Sequence, residues 1–547
     1  MFHPSLKGKT FEKFTSVGAK GRKKLKMETT EQKLKNSRRS KVQNDYDSAV
    51  ADNNVKFLEG VESVSEFYTY PNQKEDAFNI CNEIYNNNRR VISISKRVKV
   101  GADGLIIEIA KNLGTHIDDN FVKSPNDMLI LTGMSNISWE EQMIEKCPLF
   151  LKDKIFHHGK LNKSKKNLRK MKNAVIFIDE YDTATGEGQQ LHNLLKDENL
   201  LDVDFLTENN IIFIFISATF LKQLYTLYKW GDLHINYVMT VPPNYIGHGD
   251  FFELEMAKEW YSLNNQNNCE MWIKEDIIEN YGNDFRIHVV ASSLTTVNHI
   301  IKACINNNID FRNHNSDDRI PLNELSELFN TPLKKHFVLI LKKFYSRADF
   351  IPNKWKLKIG ASMALFVPGK INVNNLIQAF IGRMCGYWKN EFIENDHKTG
   401  PHRTSMEAIK NYEQTIINPF GNNSYSAPGF NKKNGIIKSL KPILFSPHNI
   451  KNLEEVGLPI VEGNLEYFIE YEVFDTEDEA RLYAWNNFAK EIKRSNGVAP
   501  KTFRDQFDGN NPTVEYILNR KWGLNEKSIC RLIPTDLNKW CLYWKNV

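Results

Sequence analysis

Four short apolar runs constrain this chain more than any other feature: VISI from Val91, MLIL from Met128, AVIFI from Ala174 and IIFIFIS from Ile211. Each is β-branched, too short for an ordinary helix and apolar at successive positions, so both of its faces need cover. The last three are separated by long polar stretches with helical character. Strands covered on both faces and joined through helices belong to a parallel sheet. A second set follows the Pro pair at Pro242: IHVVAS from Ile287, FVLILK from Phe337 and KLKIGASMALFV from Lys356, with EMWIKEDIIENYG as a helical connector. The predicted fold class is α/β, with two parallel-sheet domains in tandem over residues 51–241 and 242–395. Residues 396–547 read as a smaller α+β region in which DTEDEARLYAWNNFAKEI is helical.

At 547 residues and 41% hydrophobic content the chain can bury several cores. No run of 18 apolar residues occurs and the first residues carry no apolar signal core, so neither membrane insertion nor secretion is expected. By elimination the expected location is intracellular. The seven cysteines are far apart and show no metal-ligand spacing, which predicts reduced, mostly buried thiols. His157 and His158, and the run around His314, lack a third ligand at useful spacing. The net charge of +5 is unevenly placed, because residues 1–50 hold thirteen Lys/Arg against five Asp/Glu. That polar segment reads as a disordered arm, either a solubilising or targeting tail or a contact to nucleic acid.

Chemistry concentrates in three places. Residues 89–114 read as strand, glycine turn and amphipathic helix, the elements of a phosphate cradle. VIFIDEYD ends an apolar strand in Asp179 and Glu180, at the sheet edge where open α/β domains bind ligands. Asp179 is placed to hold magnesium and Glu180 to polarise water. The next strand ends in Ser217-Ala218-Thr219, whose hydroxyls can bond to the acidic pair. Far along the chain, Gln378-Ala379-Phe380-Ile381-Gly382-Arg383 offers a guanidinium for a phosphate. Thr132, Gly133 and Ser135, at the end of another strand, suit a nucleic-acid phosphate. Lys342, Lys343, Arg347, Lys354 and Lys356, mixed with Phe344, Tyr345 and Trp355, suit a single strand or, equally, a solvated sheet edge over a packed tryptophan.

DEYD, SAT and the QxxxGR segment, with Gln73 in YPNQKEDAF and the LTGMS stretch, resemble the ordered motifs of superfamily 2 helicases of the DEAD/DEAH-like kind. GEGQQLH after DEYD and GRMCGY are similar to the divergent branch found in bacteriophages and large DNA viruses. The resemblance spans roughly residues 65–395. It implies two RecA-like domains with ATP and Mg2+ between them and nucleic acid, DNA favoured, running across both. It also implies that Asp179 and Arg383 approach one nucleotide from opposite walls. ATP contacts fall to Gln73, Lys96, Lys99, Gly101, Ala102 and Asp103, catalysis to Asp179, Glu180 and Arg383, and coupling to Ser217, Thr219 and Gln378. Nucleic-acid contacts fall to Thr132, Gly133, Ser135, Lys342, Arg347 and Trp355.

The chain departs from this pattern in the phosphate loop. On GxxxxGK[ST], Ala102 takes the lysine position and Asp103 the hydroxyl position, and a slipped register puts Gly104 at the lysine. Lys96, Arg97 or Lys99 could bend in from the same loop. In the GR segment one arginine is followed three residues later by Gly386, where a second arginine is usual. Gln378 also stands one residue farther from GR than in the common form. The expected activity is a nucleic-acid-dependent ATPase or helicase. The alternatives are a helicase-like nucleic-acid-binding protein without turnover and an unrelated two-domain enzyme.

Overall fold

The computed structural model describes residues 19–61, 63–117, 127–181, 190–219, 232–315, 318–342, 351–365, 373–417, 470–488, 530–534 and 540–544. Strands β1 (Val91–Ser95), β2 (Met128–Thr132), β3 (Ile155–Phe156), β4 (Ala174–Asp179), β5 (Ile211–Ser217) and β6 (His234–Val238) form a sheet ordered β3-β2-β4-β5-β1-β6. All neighbours are parallel. Successive residues face opposite sides, and each side has its own apolar cover. Ile92, Ile94, Phe177 and Ile214 pack with Ile80 and Ile84 of α2 (Pro71–Asn86) and Ile106 and Ile109 of α3 (Ala102–Thr115). Leu129, Leu131, Ile176 and Phe215 pack on the other side with Leu161, Leu191 and Leu194. This two-sided burial is why the runs are apolar throughout.

The register brings the strand ends together at one edge. Thr132 lies opposite Asp179, and Ser95 opposite Ser217. Helix α3 begins six residues after β1 ends, with Gly101 in the left-handed region at φ 92° as its N-cap.

The second domain has β7 (Ala257–Glu259), β8 (Ile287–Ala291), β9 (Asp310–His314), β10 (Phe337–Leu341), β11 (Ile359–Met363) and β12 (His402–Thr404). They are all parallel, in the order β7-β12-β11-β8-β10-β9. The connector before β8 is helical, widening to a π-helix over Trp272–Glu279. Val289, Leu339, Ile359 and Phe380 belong to the same apolar cluster as Ile92 and Ile214, so the two domains are packed on one another through apolar surface. Near the C-terminus, β13 (Glu470–Phe474), β14 (Cys530–Pro534) and β15 (Trp540–Trp544) form an antiparallel sheet centred on β15, beside a helix over Glu477–Phe488. The expected class, two parallel-sheet domains in tandem with a smaller α+β region, is the observed one. Five cysteines, Cys81, Cys147, Cys269, Cys304 and Cys385, are buried free thiols. No helix among the described residues is long and apolar enough to cross a membrane.

Two expected boundaries differ. The second sheet takes in β12, beyond residue 395, because His402–Thr404 pairs with both β11 and β7. The basic segment 1–50, expected to be disordered, is helical from Ala19, where α1 (Ala19–Leu58) begins. Val42 and Tyr46 of α1 are buried against the first domain. The hydroxyls of Tyr46 and Thr69 both donate to the buried Glu108 carboxylate of α3, and Arg39 Nε donates to the His116 carbonyl at 2.9 Å. Two apolar residues one helical turn apart carry the contact in an otherwise polar stretch.

Tyr46→Phe keeps the ring and removes a donor from a buried carboxylate. It is expected to lower stability by roughly 1–3 kcal/mol, read as a lower denaturation midpoint with unchanged slope. A midpoint equal to wild type would mean that α1 does not stabilise the first domain through this bond.

Candidate active site

The loop between β1 and α3 is built around Gln73. Its amide nitrogen donates to the carbonyls of Val100 (3.2 Å) and Gly101 (3.0 Å), and its amide oxygen accepts from Tyr70 N at 2.9 Å. A Cβ at Gly101 would lie 2.2 Å from Gln73 Nε2, and one at Gly104 would lie 2.1 Å from Gln73 Oε1. The two glycines leave the space this side chain fills, so Gln73 braces the loop from behind. Ala102 opens α3 where the phosphate-loop pattern has lysine. Asp103 pairs with Lys146 of α4 (Ile137–Lys146) at 2.7 Å. Burial opposes ionisation of Asp103, but the Lys146 ammonium holds its carboxyl below the usual range. Its charge is therefore balanced within the first domain.

At the sheet edge, Asp179 and Glu180 are buried. Trp139 Nε1 donates to Asp179 Oδ2 at 2.9 Å, while Oδ1 is buried with no hydrogen-bond partner. Burial, and then the adjacent Glu180 carboxylate, raise the Asp179 carboxyl to about 6. Glu180 stands at φ 53°, an uncommon conformation for a residue with a side chain and of the kind that gathers at functional sites. Lys96 Nζ is 3.5 Å from Glu180 Oε1, and Gln378 Nε2 donates to Glu180 Oε2 at 3.1 Å. The same Gln378 nitrogen lies 2.9 Å from Thr219 Oγ1. Ser217 Oγ accepts from Thr219 N at 3.1 Å, and its carbonyl accepts from Lys96 N at 3.1 Å.

The second domain closes on this edge. Arg383 is buried and donates through Nε to the Gln378 carbonyl at 2.8 Å. Arg97 of the loop makes a two-bond ion pair with Glu413, at 2.8 and 2.7 Å. The hydroxyls of Tyr245 and Tyr387 each donate at 2.6 Å, to the carbonyls of Val98 and Val100. Tyr387 also stacks on Tyr70, with 3.8 Å between ring centroids and 7° between planes. A cavity of about 170 Å³ remains, lined by Gln73, Lys96, Lys99, Gly101, Ala102 and Asp103 from the loop side, Asp179 and Glu180 from the sheet, and Gln378 and Arg383 opposite. Trp139, Lys146, Lys356 and Tyr387 line it as well. Lys99 sits at φ 62°. Burial first, then Arg383 and Lys356, lower its ammonium well below the lysine range.

Not all expected residues gather here or at a surface. Thr132 is fully buried, with its hydroxyl accepting from Met134 N at 3.3 Å, and Gly133 is buried; Ser135 is exposed. Trp355, expected to stack on a nucleic-acid base, is 1% exposed and lies against Phe329 at 4.5 Å with 2° between the rings. It is a core residue, so the packed-tryptophan alternative holds and the nucleic-acid contact does not. Lys342 is half-buried at the end of β10. Arg347, with Lys343, Phe344 and Tyr345, lies outside the described residues. Lys356, read with the same basic-aromatic group, points instead into the cavity. Sequence reasoning missed Trp139, Glu413 and Tyr387. Of these, Tyr387 ends the GRMCGY segment and Trp139 lies seven residues beyond the end of β2, while Glu413 carried no local signal.

The donor set fits a divalent cation. Asp179 Oδ1 is an unpaired buried carboxylate oxygen, and no group of three or more His, Cys, Asp or Glu among the described residues could hold a metal. One carboxylate completed by phosphate oxygens and water is the magnesium pattern.

No protein-family model matches the chain, and none of the curated proteins matches it. Solved structures do. One is S. cerevisiae Dbp5 bound to RNA and ADP BeF3, at 12% identity and TM-score 0.36, over 64% of this chain and 92% of that one. Another is the DEAD-box helicase Mss116 bound to ssRNA and UDP-BeF, at 15% identity and TM-score 0.29, over 62% of this chain and 69% of that one.

A carboxyl raised from 3.8 to about 6 binds its proton more tightly in the folded state, so its ionisation costs stability. The cost starts near pH 4, grows to about pH 6 and is constant above. Asp179→Asn keeps an acceptor for Trp139 and removes this cost. Thermal unfolding should find the variant more stable than wild type at pH 8 and equal to it near pH 4; a variant less stable at pH 8 would mean that the ionised carboxylate is already compensated.

Proposed function

We propose that the chain is a nucleic-acid-dependent ATPase of the superfamily 2 helicase type, with two RecA-like domains that clamp Mg-ATP between them. The observation that carries this reading is the single cavity shared by Asp179 and Glu180 of one domain and Arg383 of the other. A triphosphate lying against the N-terminus of α3 would meet first-turn N–H groups. Asp179 would hold a magnesium ion, which when bound would offset phosphate charge. Glu180, fixed by Lys96 and Gln378, orients the attacking water and takes its proton. Arg383 faces the charge that builds on the γ-phosphate. Lys96 and Lys99 supply cations from the loop, and Gln73 keeps the loop in shape for the nucleotide.

Coupling runs through Gln378. Its amide contacts both the acidic motif and the Ser217-Thr219 motif, so a change at the phosphate reaches the domain interface in one step. The nucleic-acid partner, single- or double-stranded with DNA favoured, is contacted by backbone and hydroxyl groups near Ser135 and by Lys342; Arg347, expected in the same set, lies outside the described residues. The reading extends to viral or phage nucleic acid on the resemblance of GEGQQLH and GRMCGY alone.

A second reading, a clamp that binds nucleic acid without turnover, is favoured by Ala102, which brings no charge to the phosphates. Steady-state ATP hydrolysis with and without single-stranded RNA or DNA separates the two. Stimulated hydrolysis is expected, and Glu180→Gln should keep ATP binding while lowering kcat by roughly 10²- to 10⁴-fold. Wild-type protein that binds single strands and hydrolyses nothing would select the second reading.

A further inference from the structure

We propose that Lys356, reaching the cavity from the second domain, is the phosphate-binding cation that stands in for the lysine absent at Ala102. The assignment rests on the nucleotide reading above and names a residue that the motif pattern does not contain.

Lys356 closes a short helix, Asn353–Lys356, just before β11. It is 2% exposed, yet it lines the same cavity as Asp179, Lys99 and Arg383. An ammonium has three donors. Two are taken by neutral acceptors, the Cys385 carbonyl at 2.7 Å and Asn353 Oδ1 at 2.9 Å. Two basic side chains, Arg383 and Lys99, bear on it and disfavour its charge. The Cys385 thiol beside it is pushed up to about 12 by burial and brings no anion at neutral pH.

A buried cation facing cations is unfavourable on its own. Burial, with Arg383 adding to it, lowers the Lys356 ammonium to about 7. An anion of several charges placed among Lys99, Lys356 and Arg383 would reverse all of these penalties at once, which is what the end of a polyphosphate offers. A lone carboxylate or a monoester would not.

The backbone makes room for this arrangement. Gly386 follows Arg383 by three residues, and a Cβ there would lie 2.7 Å from Lys356 Nζ and 2.8 Å from Asn353 Oδ1. Any side chain at 386 would displace the ammonium. The glycine and the lysine are therefore one device: the first leaves the space and the second fills it with charge.

The test uses the full chain with Mg2+ and measures ATP and AMP binding by calorimetry. Lys356→Gln keeps a donor for the Cys385 carbonyl and removes the charge. ATP affinity should fall roughly 10- to 100-fold, AMP affinity should stay near its wild-type value, and Lys356→Arg should recover most of the loss. If the glutamine variant unfolds, Lys356→Met gives the same comparison without leaving a polar group in the buried site. An unchanged ratio of ATP to AMP affinity in the charge-removed variant overturns the role of Lys356 and leaves the nucleotide reading standing. Wild type that binds no ATP overturns that reading itself, and this assignment with it.

Discussion

The amide of Gln378 is the contact on which the rest of the site depends. It reaches from the second domain to Glu180 at 3.1 Å and Thr219 at 2.9 Å, two acceptors at the ends of adjacent parallel strands. Both ends of this contact are buried, so separating the domains without letting water in would strand a carboxylate and a hydroxyl. The bond therefore sets register as well as distance. Once it is made, Arg383 is held beside the same edge by its own bond to the Gln378 carbonyl. The loop ahead of α3 then comes within reach of Glu413, Tyr245 and Tyr387.

These contacts enclose charges of both signs in little water. Asp103 and Lys146 cancel one another, and Lys96 answers Glu180 in part. Asp179 is pushed toward its neutral form, while Lys99 and Lys356 are pushed toward theirs. Desolvation acts on both signs alike, since it penalises whichever form is charged. A cavity with these residues is ill at ease when empty and gains from a ligand that is anionic on one side and carries a cation on the other. On the proposed reading that ligand is magnesium bound to a polyphosphate, and Asp179 Oδ1, buried with no hydrogen-bond partner, is the oxygen left for the metal.

What was legible in the sequence follows from burial. Strands β1, β2, β4, β5, β8, β10 and β11 are covered on both faces and spell themselves as mainly apolar runs with few polar interruptions, such as Ser93, His288 and Ser362. The elements that were overlooked lie at edges or are very short. His234–Val238 is half-exposed along its length and mixes polar with apolar residues, Asp310–His314 likewise, and Ile155–Phe156 is only two residues long. β12 was hidden for another reason: its partners, Ala257–Glu259 and Ile359–Met363, lie far away in sequence and no local pattern announces the pairing. Asp179, Glu180 and Arg383 were legible because strand ends and a GR pair are local signals. Trp355 and Lys356 were misread because a mixed basic and aromatic stretch looks the same whether it faces water or a core. Only the stacking on Phe329 and the acceptors at Cys385 and Asn353 separate the two cases.

Where the charge comes from changes what the clamp can do. A lysine in the phosphate loop belongs to the first domain, which can then hold a triphosphate whether or not the second domain is near. With alanine at 102 the first domain offers Lys96, already facing Glu180, and Lys99, strongly desolvated in the closed cavity. The remaining cations, Arg383 and Lys356, arrive with the second domain and at the same moment as Gln378. On the proposed nucleotide reading, binding and closure would share one set of contacts, and the free energy of the phosphate interaction would be spread over the interface instead of residing in the loop. In such a clamp, losing the γ-phosphate removes the anion that holds Lys356 and Arg383 against the first domain, and the interface loosens by the interaction energy those cations lose. A degenerate phosphate loop is thus compatible with a nucleotide switch, provided the switch operates between the domains.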